Sequence, residues 1–169
     1  MRFKYSTKYN ARQAFLRRLK CYWSAKGFPR FNTYIGEIYE IDFGENVYDV
    51  DFYEFGDSKI LDSIIFDLSK YSSVWGQGNG EPLICVHNIK LTSKNIQICG
   101  SRADTVRFNY NGICYLQFHA KDLIEDLAKY DKMNVTVVGR ANINEWGGNI
   151  TPQIFIEDYE IQEDILTTF

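Results

Sequence analysis

The stretch Asp104-Thr105-Val106-Arg107-Phe108-Asn109-Tyr110-Asn111-Gly112-Ile113-Cys114-Tyr115-Leu116-Gln117-Phe118 decides the fold. Residues 104–110 and 112–118 read as two short strands, and Asn111-Gly112 is the dipeptide that most readily supplies a tight hairpin turn between them. Upstream, residues 83–91 and 95–99 read as pieces of one bent first strand. Downstream, residues 120–130 place Leu123, Ile124 and Leu127 on one side of a helix. Residues 134–143 and 150–161 then form two more strands around Asn144-Glu145-Trp146-Gly147-Gly148-Asn149.

Three strands, one helix and two strands is the order of an OB-fold, a five-stranded, partly open barrel with its helix between the third and fourth strands. The expected fold class is therefore mainly β with flanking helices, an OB barrel over residues 81–169 preceded by an α+β lead-in over residues 1–80. In that lead-in, residues 11–26 form an amphipathic helix with Phe15, Leu16, Leu19, Tyr22 and Trp23 on its apolar side, stopped by Gly27 and Pro29. Its Arg12, Arg17, Arg18 and Lys20 make either a phosphate-facing surface or a solvated helix face. Residues 35–55 contain two short strands. Residues 57–70 form a helix burying Ile60, Leu61, Ile64, Ile65 and Leu68, with Asp57 or Ser58 placed to cap it. Residues 75–82 hold three glycines, an asparagine and a proline and read as a loop; they lack the Gly-Lys-Ser/Thr ending of a nucleotide-binding loop.

The chain of 169 residues carries a net charge of −3, unevenly distributed. Residues 1–40 hold nine Lys/Arg against two Asp/Glu, and residues 41–80 hold two against eight. A local basic patch can attract phosphates on such a protein, but the total argues for weak, salt-sensitive binding. Cys21, Cys85, Cys99 and Cys114 show no C-x-x-C spacing, and His87 and His119 are the two histidines available to assist them. The cysteines read as reduced, small apolar residues of a cytoplasmic protein, with no metal site. No signal segment opens the chain and no apolar run approaches membrane-spanning length. Asp42, Asp49 and Asp51 lie in the acidic stretch; a two-metal nuclease would need such carboxylates, but solubilising strand-edge charge accounts for them without a metal.

Two segments add a family resemblance. Gly76-Gln77-Gly78-Asn79-Gly80-Glu81-Pro82 resembles the "FG-x-GN-x-EP" junction of RecJ-type exonucleases, where the second catalytic-core domain meets the C-terminal OB domain. Gly139-Arg140-Ala141-Asn142-Ile143-Asn144-Glu145-Trp146-Gly147-Gly148-Asn149 with Pro152-Gln153-Ile154-Phe155-Ile156-Glu157-Asp158 is similar to that family's closing hairpin. The resemblance covers residues 71–161, and residues 15–22 look like the tail of a DHHA1-type domain. The family usually has Phe at the place of Trp75, and its Asp-His-His and Gly-Gly-His metal motifs have no counterpart here. The resemblance implies a single-stranded DNA-binding module of a RecJ-like 5′-3′ exonuclease, with no catalytic residue in this chain. It places Mg or Mn only in the parent core. Single-stranded DNA is the implied partner, with a single-strand-binding protein or the catalytic core as further partners and no membrane. A protein-interaction module docking that core or a repair partner is the alternative.

An OB barrel binds single strands across its second and third strands and the flanking loops, with cations on the backbone and aromatic faces on the bases. Alternation separates Thr105, Arg107 and Asn109 from Val106, Phe108 and Tyr110, and the polar set should face outward. On the third strand Tyr115 and Gln117 are expected outward, opposite Cys114, Leu116 and Phe118, with Tyr115 stacking on a base. Arg102 joins from the preceding loop. Arg140 either reaches the groove or pairs with an acid. Trp146, at the last hairpin tip, either stacks on a base or packs over the open end of the barrel.

Overall fold

A computed structural model of the chain describes residues 39–75 and 80–165. The predicted helix over residues 11–26, and Gly76, Gln77, Gly78 and Asn79 of the glycine-rich junction, lie outside the described residues. The elements are β1 (Tyr39–Asp42), β2 (Val47–Val50), β3 (Phe52–Phe55), α1 (Leu61–Lys70), β4 (Leu83–Thr92), β5 (Ile96–Cys99), β6 (Thr105–Tyr110), β7 (Ile113–Gln117), α2 (Lys121–Leu127), β8 (Lys132–Trp146) and β9 (Asn149–Glu163).

Hydrogen bonding runs in the order β3-β4-β8-β9-β7-β6-β5. β4 and β5 are the two halves of one strand, bent by a single turn of 3-10 helix at Ser93–Asn95. The bend is fixed by Asn95, whose Oδ1 accepts from the Thr92 amide at 3.1 Å and the Thr92 hydroxyl at 2.7 Å. Since one bent strand supplies both ends of the β4-to-β5 run, the sheet closes on itself as the five-stranded barrel expected. β7 and β9 pair in parallel and the remaining barrel pairs are antiparallel, the OB arrangement, with α2 between the third and fourth barrel strands.

Both hairpin turns follow from glycine chemistry. Asn111 and Gly112 have φ of 49° and 80° and join Tyr110 to its cross-strand partner Ile113. Gly147 and Gly148, at 58° and 81°, do the same between Trp146 and Asn149. Two consecutive positive φ values give the turn whose twist matches antiparallel strands. The last hairpin is thus longer and its turn tighter than the residues 144–149 expected.

The barrel interior is filled by Val106, Phe108, Ile113, Tyr115, Val135, Val137 and Ile154, closed from one side by Leu123 and Leu127 of α2 and joined by Leu61, Ile64, Ile65 and Leu68 of α1. α1 begins four residues later than predicted, because residues 57–60 form a turn: the Ser58 amide donates to the Phe55 carbonyl, and Ser58 Oγ accepts from the Ile60 amide rather than from the helix proper. Residues 35–55 hold three described strands instead of two. The backbone breaks at Asp51, which sends Val50 into one core and Phe52 into another. β3 then adds parallel to β4. The second, smaller core comprises Ile41, Val50, Cys85 and Val138, with the rings of Tyr39, Phe43, Tyr48 and Tyr53 around it. Here the β1–β2 hairpin covers the outer face of β4 and β8. Burial pushes the Cys85 thiol up, so it behaves as a small apolar filler.

Candidate nucleic-acid interface

The two-residue turn at Asn111-Gly112 sets which side chains share a face. It pairs Phe108 with Tyr115, Val106 with Gln117 and Arg107 with Leu116. Directly opposed residues of an antiparallel pair point to the same side. Arg107 and Asn109 are exposed on the outer face, as expected. Tyr115 and Gln117 are not. Tyr115 is fully buried, its ring stacked on Phe108 with centroids 5.1 Å apart, so it has no face to offer a base. Burial drives its phenol pKa upward, and its hydroxyl has no hydrogen-bond partner among the described residues. Gln117 is half-buried and donates to the Ile156 carbonyl at 3.4 Å. The expectation erred by one residue in the phase of β7.

The outward set of β7 is therefore Leu116 with the following Phe118, which is 58% exposed. Phe118 meets Phe155 of β9 edge to face at 5.9 Å. These two rings, Arg107 and Leu116 line one side of an open groove of about 450 Å³; Thr105, Asn142, Asn144 and Gln153 complete its polar lining. Asn142 and Gln153 are cross-strand neighbours, and Asn142 Nδ2 donates to Gln153 Oε1 at 3.0 Å. Among the described residues Arg107 forms no ion pair. The sequence reading set Phe118 on the face opposite the groove and gave Phe155 no binding role, yet the pairing imposed by Asn111-Gly112 was enough to place Phe118 beside Arg107.

The other expected cations differ in availability. Arg102 is exposed, in a turn closed by the Ala103 amide on the Gly100 carbonyl at 3.1 Å, next to the groove-lining Gly100. Arg140 is held by acids: its Nε donates to Glu157 Oε1 and its Nη1 lies 3.4 Å from Glu81 Oε2. The Glu157 hydrogen bond raises the guanidinium pKa further, and two carboxylates neutralise its attraction for phosphate. Trp146 is 80% exposed at the hairpin tip, so it does not close the barrel end.

The acids of the lead-in serve the backbone. Asp42 Oδ1 accepts from the Gly44 amide at 2.8 Å, and buried Asp51 accepts from the Leu83 amide at 3.2 Å. Asp49 is exposed on β2, opposite Glu40. His87 Nδ1 pairs with the Thr136 hydroxyl at 2.7 Å, and His119 with Asp104 at 3.0 Å. Among the described residues no three His, Cys, Asp or Glu side chains converge as metal ligands, so this donor set does not fit a hydrolytic metal pair. A second groove, of about 560 Å³, is acidic, with Glu45, Asp122, Asp126, Glu157 and Asp158 in its wall. No helix among the described residues is long and apolar enough to cross a membrane.

The barrel and its groove lie largely within the stretch that a family model matches. The family model described as the RecJ OB domain matches residues 54–158. The protein named "Putative SPbeta prophage-derived single-strand DNA-specific exonuclease YorK" from Bacillus subtilis (strain 168) is 29% identical over 125 residues, 72% of this chain and 22% of that protein. The protein named "Putative single-strand DNA-specific exonuclease yorK" from Bacillus phage SPbeta matches to the same extent. The crystal structure of RecJ in complex with Mn2+ from Thermus thermophilus superposes with a TM-score of 0.46 and 21% identity, over 63% of this chain and 15% of that one. The chain thus spans about a fifth of the length of the curated relatives it matches.

Proposed function

This chain belongs to the RecJ OB domain family, and from that premise we propose that its barrel is the single-stranded DNA-binding module of a RecJ-like 5′-3′ exonuclease. It is an OB module of a RecJ-like protein. Phosphodiester hydrolysis, and the Mg or Mn it needs, belong to a catalytic core other than the described residues. The observation that carries the reading is the outer groove, where Arg107, without an ion pair among the described residues, stands beside exposed Phe118 and the half-buried ring of Phe155. That combination suits a single strand: a guanidinium for the backbone and aromatic faces for unstacked bases. Trp146 at the hairpin tip, Asn109 on β6 and Arg102 in the turn, all exposed, are the further residues proposed to contact the strand.

The groove is richer in rings and carboxamides than in cations. With Arg140 engaged by two acids, Arg107 and Arg102 are left to neutralise phosphates. At about 0.7 per phosphate on a single strand, log affinity should fall with log salt at a slope near −1.4. The test is fluorescence anisotropy with labelled oligo-dT. Binding at low salt, weakened about fivefold or more by Phe118→Ala, is the expected result, given about 1–3 kcal/mol per stacked base. Absence of binding at low salt refutes the reading.

A second reading rests on the acidic groove. Its five carboxylates repel a nucleic-acid backbone and suit a basic surface of the catalytic core or of a single-strand-binding protein. Pull-down of either partner by the native chain, lost when Asp122 and Glu157 become Lys, supports it. No DNA binding by the same chain would leave this reading in place of the first.

A further inference from the structure

Within the groove, one polar pair has a property that backbone binding does not use. Gln153 is 8% exposed, and its Oε1 is occupied by Asn142 Nδ2. Its Nε2 has no partner among the described residues and is not among the sealed, unsatisfied atoms of the interior, so it opens on the groove. The Asn142 Oδ1 is likewise unpartnered on the same wall. In either of the two orientations that keep the bond, one carboxamide donates one N–H to the other's oxygen, and a free NH2 and a free carbonyl oxygen remain side by side.

A phosphate offers acceptors only and leaves the carbonyl oxygen idle. The edge of a nucleobase presents a donor next to an acceptor, which is why side-chain carboxamides pair with bases in bidentate fashion. We propose that Asn142 and Gln153 form a base-edge reader that takes one unstacked base seated against Phe118 and Phe155, and so gives this module a base preference. The inference rests on the single-strand reading of the groove. Arg107, at the opposite strand pair, holds the backbone, while the carboxamides select what hangs from it. Burial makes the pair effective. Gln153 is fixed by its surroundings, and a base lacking the matching edge would leave the amine unsatisfied as it closed over it.

The experiment is an anisotropy titration of the whole chain with oligo-dA, oligo-dC and oligo-dT of equal length, repeated with Asn142→Val/Gln153→Met. That double variant removes both carboxamides together and keeps side-chain volume, and its melting curve reports whether it folds; Asn142→Leu/Gln153→Leu, which also lacks both carboxamides, serves in its place where it does not. The three homopolymers should differ in affinity by about tenfold for the native chain and by about twofold or less for the variant. Phe118→Ala should instead lower all three in parallel. Equal affinities for the native chain, or a spread that survives removal of the carboxamides, overturns the reader while leaving the single-strand reading intact. Failure of every homopolymer to bind at low salt overturns both.

Discussion

Replacing Tyr115 by Phe removes one oxygen atom and tests the inside-out assignment of β7. The ring is fully buried and stacked on Phe108, and its hydroxyl has no partner among the described residues. An unsatisfied buried donor costs about 1–3 kcal/mol relative to the hydrated unfolded chain. Deleting it recovers part of that and leaves a void smaller than a methyl group, for a net gain of about 1 kcal/mol. For a domain of this size the melting temperature should rise by about 2–4 °C. Tyr115→Ala, which empties the stacked position, should lose about 3–5 kcal/mol. Thermal and urea denaturation followed by circular dichroism give both numbers, and oligo-dT titration gives affinity. Tyr115→Phe should leave affinity unchanged. A drop in stability on losing the hydroxyl, or a loss of DNA affinity at constant stability, would refute the assignment of this ring to the core.

Gly139→Ala should destabilise by about 1–3 kcal/mol, because its Cβ would run into the Phe155 carbonyl oxygen and stand 2.7 Å from Ile154 Cγ2; urea unfolding reads it directly. Arg140→Ala should change oligo-dT affinity by less than about twofold, since Glu157 and Glu81 already hold the guanidinium, whereas Arg107→Ala should lower affinity and flatten the salt slope by about 0.7. Tyr48 and Tyr53 are each pushed up to about 12, both chiefly by burial, Tyr48 also by its hydrogen bond to Asp158. Raised phenol pKa values mean full stability below about pH 10 and loss as pH climbs toward 12, so the melting temperature should fall across that window. Tyr48→Phe should make the fall less steep.

What could be read from sequence was what local chemistry decides. Asn111-Gly112 and Gly147-Gly148 demand positive φ and so mark both turns; the bent first strand and the helix before β8 follow from spacing and polarity. The side on which Arg107 emerges was legible for the same reason, since its neighbours Val106 and Phe108 are unambiguously apolar. Tyr115 was misplaced because it shares a face with Gln117, which was expected outward, whereas the area of a large ring decides its place when a barrel needs filling. The pairing of residue 108 with residue 115, already implied by a two-residue turn, would have corrected it. β3 and the small core were not legible, because the parallel partner of Phe52–Phe55 lies in β4, about thirty residues downstream, and no local signal encodes it. Nor did spacing reveal that Glu81 and Glu157 converge on Arg140.

The most direct test of the central claim is a two-dimensional amide NMR titration of the chain with oligo-dT at low salt. Shift changes should concentrate at Arg107, Leu116, Phe118, Gln153 and Phe155 on the outer face, with the Trp146 indole also moving. Changes centred instead on the acidic wall around Asp122 and Asp158, or none at any DNA concentration, would contradict a single-strand-binding groove on this barrel.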